Sequence, residues 1–206
     1  MVFRPPGAGR HPVVVVLHGS SGLAMVQLAW ARRLADAGFV VLAGCYLDVA
    51  PSARVSSPDG WVRCAGLPDA AHSSAAGITR AYDALLDTAT SLPGVEPGVL
   101  GVIGVSYGGI VALSTREPRV RAIVADSGYG KAGPSIVTAP VLLLGMTDDP
   151  NVSHADVVGF ERALRAAGKG VEAHYYSGTG HVATLDPAVA ADATNRAIAF
   201  FTRNLR

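Results

Sequence analysis

At 206 residues the chain fits one domain, residues 1–206, with a sizeable core. Half of its residues are hydrophobic and 16% are charged, which excludes an intrinsically disordered chain. Lys+Arg number 17 against 16 Asp+Glu, so no basic surface for nucleic acid or anionic lipid is expected. Met1 to Pro12 has no signal-like apolar stretch, and no run approaches the ~20 apolar residues of a membrane span. The expectation is a cytoplasmic protein with no membrane or nucleic-acid partner.

Pro12 to Leu17 (PVVVVL) is a continuous β-branched run, the mark of a strand buried on both faces. From Met25 to Ala37, Leu28, Ala31 and Leu34 recur at helical spacing, and Gly38 ends the pattern. Phe39 to Ala43 is the second strand. Residues 44–68, with Pro51, Pro58, Gly60, Gly66 and Pro68, read as irregular. They include Cys45 and Cys64, expected as two free thiols, with a single bridge as the alternative. Asp69 to Leu92 reads as a helix, Val99 to Val105 as the third strand, and Tyr107 to Leu113 as a short helix. Val120 to Ala125 and Val141 to Leu144 are the fourth and fifth strands. Ser153 to Ala167 is a helix, Val171 to Tyr176 the sixth strand, and Pro187 to Asn204 the last helix. Such alternation implies an α/β fold with a mostly parallel sheet of six or so strands and helices on both faces. Active groups then sit on loops at the carboxyl ends of the strands.

At the end of the third strand stands Gly104-Val105-Ser106-Tyr107-Gly108. A nucleophilic serine held in a sharp strand-to-helix turn needs residues without side chains two positions to either side. The pentapeptide alone is a weak signal. Its context, an apolar strand before it and a helical stretch after it, is what an α/β-hydrolase fold requires. The alternative is a glycine-rich turn with an idle serine.

Serine needs a base, and in this fold the chain order is serine, acid, histidine. His154, His174 and His181 follow Ser106. His174 lies inside a strand and His154 opens a helix. His181 stands in Ser177-Gly178-Thr179-Gly180-His181, just past the sixth strand, and is the expected base. For the acid, Asp149 ranks first, Asp148 second and Asp126 third. The oxyanion hole is expected from the backbone N–H of Tyr107 and that of Ser20, with Ser21 the close alternative. Ser20 lies in the loop His18-Gly19-Ser20-Ser21-Gly22-Leu23 after the first strand. These readings call for no metal and no organic cofactor.

Taken together, PVVVVLHGSSGL (12–23), LADAGFVVLA (34–43), GVSYGG (104–109), GYG (128–130), APVLLLGMTDDP (139–150) and YYSGTGH (175–181) resemble the dienelactone hydrolase-like family of α/β-hydrolases over nearly the whole chain. The resemblance implies ester hydrolysis. Two residues depart from it: family members proper carry a cysteine where Ser106 stands, and a glutamate where Gly19 stands. Members also begin with one or two further strands, and Val2-Phe3-Arg4-Pro5-Pro6 looks like the tail of one. The expected function is a serine esterase acting on a small-molecule, short-acyl carboxylic ester through an acyl-enzyme. No large cap follows the fourth strand, and Tyr46, Trp61, Leu67 and Tyr107 are the candidate pocket walls. The alternatives are a thioesterase, an acyltransferase or a peptidase-like hydrolase, and, from another class, a non-catalytic binding protein of the same fold.

Overall fold

Val13 to Leu17 are all fully buried. Successive strand side chains point to opposite faces, so a run buried throughout needs cover on both sides. The structure, a computed structural model, describes residues 1–47, 60, 74–114 and 116–206. It supplies that cover: Val13, Val15 and Leu17 pack into one core, and Val14 and Val16 into the other.

Seven strands form one sheet: β1 (Val2–Phe3), β2 (His11–Leu17), β3 (Val40–Gly44), β4 (Val95–Val105), β5 (Val120–Asp126), β6 (Val141–Met146) and β7 (Val171–Tyr176). Their order is β1-β3-β2-β4-β5-β6-β7. Every neighbouring pair is parallel except β1 with β3. Helices α1 (Met25–Asp36) and α5 (Ala190–Leu205) cover one face. Helices α2 (Ala75–Thr90), α3 (Tyr107–Ser114) and α4 (His154–Ala166) cover the other. This is the α/β-hydrolase architecture expected above.

The differences from expectation lie at the edges. Val2 and Phe3 do form a strand, which brings the sheet to seven. β4 begins at Val95, because a first bridge pairs His11 with Val95 before the register slips and resumes at Val13 with Leu100. Pro97 and Gly98 lie in that slip, and they hide the strand from a propensity reading. Ser74 caps α2 by accepting from the Gly77 N–H, so the helix starts later than Asp69. Residues 69–73 lie outside the described residues. The connection from β5 to β6, residues 127–140, carries one 3₁₀ turn and no cap. Among the described residues no helix is long and apolar enough to cross a membrane.

One expectation fails. Cys45, half-buried just past β3, is disulfide-bonded rather than a free thiol. Cys64 lies outside the described residues. The free-thiol reading rested on compartment alone, and with Cys45 bonded the cysteines no longer argue for a reducing environment.

Candidate active site

The site grows from the carboxyl end of β4. Ser106 has φ 52°, a left-handed conformation that costs a non-glycine residue energy and must be held by its surroundings. Its N–H donates to the Asp126 carbonyl at 2.7 Å, which continues the β4–β5 ladder one step past Val105. Its own carbonyl accepts from Ile110 at 3.1 Å and so opens α3. The flanking glycines are sterically required. A Cβ on Gly104 would lie 2.3 Å from the Gly108 backbone, and one on Gly108 would lie 2.4 Å from the Leu17 carbonyl oxygen.

His181 Nε2 lies 2.8 Å from Ser106 Oγ, and its Nδ1 lies 2.9 Å from both carboxylate oxygens of Asp149. A carboxylate only accepts, so the ring proton belongs on Nδ1, which leaves the Nε2 lone pair facing the hydroxyl. Asp149 is itself held. Its Oδ1 accepts the N–H groups of Asn151 (2.8 Å) and Val152 (3.0 Å), and its side chain is 2% exposed. Asp148, the second candidate, is exposed. Asp126 is fully buried, and its carboxylate bonds to the chain after His181 rather than to the imidazole.

A cavity of about 440 Å³ opens over this chain of bonds. Ser20, Ser21 and Tyr107 line it beside Ser106 and His181, with Ile110, Val152 and Leu185 as its apolar side. The loop 18–23 is tightened by Gly22 N–H donating to the Gly19 carbonyl at 3.1 Å. A Cβ on Gly19 would approach Ser106 Cβ to 3.3 Å, so glycine here leaves the nucleophile's flank clear. Gln27 also lines the cavity, while its Oε1 caps α1 by accepting from Ala24 N–H at 2.9 Å. Nothing in the sequence singled it out, because a helix-borne glutamine normally reads as a surface residue.

Tyr46 does not form a pocket wall. It is fully buried, and its hydroxyl donates to the His18 carbonyl at 2.8 Å, so it props the loop from beneath. Trp61 and Leu67 lie outside the described residues. His174 stays within β7 and stacks edge-on with Tyr176, while His154 heads α4 against Tyr175. Among the described residues, no group of three or more His, Cys, Asp or Glu could hold a metal ion.

Comparison with known proteins agrees with this architecture. A family model described as the dienelactone hydrolase family matches residues 1–205. A Synechocystis protein named "Putative carboxymethylenebutenolidase" is 32% identical over 129 residues, which are 61% of this chain and 52% of that protein. The chain thus spans about half the length of this relative. The crystal structure of esterase PE8 superimposes with a TM-score of 0.72 at 22% identity, covering 100% of this chain and 98% of the other. The dienelactone hydrolase-like promiscuous phosphotriesterase P91, from metagenomic libraries, has a TM-score of 0.76 at 22% identity over 97% and 89%. At such identities the two structures speak for the fold.

Proposed function

The chain belongs to the dienelactone hydrolase family, and we propose that it is a serine esterase cleaving small, short-acyl carboxylic esters through an acyl-enzyme at Ser106. The observation that carries this reading is the unbroken hydrogen-bonded chain from Ser106 through His181 to Asp149.

In the first step His181 Nε2 takes the hydroxyl proton as Ser106 Oγ attacks the ester carbonyl carbon. Asp149 keeps the proton on Nδ1 and stabilises the imidazolium that forms. The negative charge on the former carbonyl oxygen is met by the N–H groups of Tyr107 and Ser20, at the start of α3 and in the loop after β2. His181 then gives its proton to the departing alcohol. Water, deprotonated by the same nitrogen, attacks the acyl carbon; the C–Oγ bond breaks, the carboxylic acid leaves, and His181 returns the proton to Ser106 Oγ. The scheme calls on no metal or organic cofactor. A serine at position 106 and a glycine at position 19 argue for simple esters over the family's namesake lactone.

A fluorophosphonate probe is expected to label the wild type at Ser106. Ser106→Ala is expected to escape labelling and to lose about 10⁴-fold or more in kcat on p-nitrophenyl acetate. Full activity in Ser106→Ala would overturn the reading. Failure of the wild type to label would favour a non-catalytic binding protein.

A further inference from the structure

Asp126 is a fully buried carboxylate for which the scheme above has no use. It ends β5, beside the turn that carries Ser106. Its carbonyl accepts the Ser106 N–H at 2.7 Å. Its carboxylate accepts the N–H of Ala183 (3.0 Å), the N–H of Thr184 (2.6 Å) and the Thr184 hydroxyl (2.7 Å). The next residue, Ser127, is held at φ 56°, and its hydroxyl donates to the carbonyl of His181.

Two consecutive residues thus grip the nucleophile on one side and the histidine loop on the other. On its N-terminal side the loop is tied three residues before His181, where the Gly178 N–H donates to Thr147 Oγ1 and the Gly178 carbonyl accepts from the Asp148 N–H, both at 3.2 Å. The bonds to the His181 carbonyl and to residues 183 and 184 hold it at the histidine itself and just beyond. The chemistry also explains why the residue is an aspartate. Three donors converge on one side chain, and a carboxylate accepts all three, whereas an amide would turn its own N–H groups towards one of them. Burial pushes the Asp126 carboxyl up from its ordinary value, and the three donors oppose that shift.

We propose that Asp126 and Ser127 are positioning residues that lock the His181 loop to the Ser106 turn, and so set the distance across which the proton moves. The proposal rests on the reading of Ser106 and His181 as nucleophile and base. Neither residue touches substrate; both act through His181.

The test uses Asp126→Asn, which keeps the shape, and Ser127→Gly, which accepts the left-handed backbone and removes the hydroxyl together with its Cβ. Ser127→Gly therefore decides the matter if Asp126→Asn fails to fold. Activity on p-nitrophenyl acetate is counted per fluorophosphonate-labelled site, so unfolded protein is not scored. Asp126→Asn is expected to lower kcat about 10- to 100-fold and Ser127→Gly about 3- to 10-fold, with KM within about 2-fold, as loss of alignment predicts. In both, the downfield NMR resonance of the His181 Nδ1 proton should move. Wild-type kcat per labelled site with an unmoved resonance would overturn the proposal, as would a rise in KM at constant kcat. A wild type that does not label at all would instead bring down the underlying reading of Ser106.

Discussion

His18 shows how strongly a single residue is constrained beside the site. It is fully buried, with Nδ1 2.7 Å from the Gly19 carbonyl, which makes Nδ1 the protonated nitrogen. Its Nε2 has no partner among the described residues, and its ring lies 4.7 Å from that of Tyr46. Burial pushes the imidazole down from 6.5 to about 4, against the smaller opposing effect of the Gly19 bond. Between these values the unfolded chain binds a proton that the folded chain refuses, so stability falls as pH drops. Full stability is present above about pH 6.5, and the loss between pH 7.5 and pH 5 is about 2 kcal/mol from this group. His18→Phe keeps the ring volume and removes the titration. It is expected to cost about 1 kcal/mol at pH 7.5 through the lost hydrogen bond, and to flatten the difference between the two pH values. Urea unfolding at both pH values checks this, and an equal pH slope in both proteins would refute it.

Among the elements, Gly108 in α3 and Gly159 in α4 have opposite consequences. A Cβ on Gly108 would stand 2.4 Å and 2.7 Å from the carbonyl oxygens of Leu17 and His18, which are backbone and cannot swing aside. Gly108→Ala must therefore lift α3 off the end of β2, at a cost of about 3 kcal/mol, and drag Ser106 with it. Loss of fluorophosphonate labelling together with a lower Tm is the expected result. Gly159, within α4, has nothing among the described residues within 4 Å of its would-be Cβ. Gly159→Ala is expected to stabilise by about 0.5–1 kcal/mol through helix propensity, raising Tm by a few degrees. A fall in Tm would show that this account of α4 is wrong. The pair also marks what a sequence can reveal. Hydrophobic spacing located β2, β7 and α4 to within a residue or so, and G-x-S-x-G located the tight turn. The choice among Asp126, Asp148 and Asp149 was not legible, since it depends on which way each side chain leaves a turn and on partners more than thirty residues distant. Tyr46 looked like a pocket wall for the same reason: its partner, the His18 carbonyl, becomes its neighbour only once β2 and β3 pair.

For the molecule as a whole, parallel pairing gathers the carboxyl ends of β2, β4, β5, β6 and β7 along one edge of the sheet. Residues from positions 19 to 185 thereby line a single cavity of about 440 Å³. A second cavity, about 220 Å³, adjoins it and is lined by Ile78, Val111 and Lys131 among others. Tyr107 and Ile110 line both, so they form the partition between the two. The partition bounds the space beside Ser106, which is the ground for the short-acyl preference proposed above. Ile110 is also the cheaper member to remove, because its N–H bond to the Ser106 carbonyl belongs to the backbone and survives substitution. Ile110→Ala is therefore expected to let a long acyl chain pass from the first cavity into the second. Each extra methylene buried is worth about 0.8 kcal/mol, so two accommodated methylenes would raise kcat/KM for p-nitrophenyl decanoate relative to acetate by about 10-fold. The measurement is that ratio in wild type and variant. An unchanged ratio would mean that the acyl chain leaves Ser106 by another route, along Val152 and Leu185.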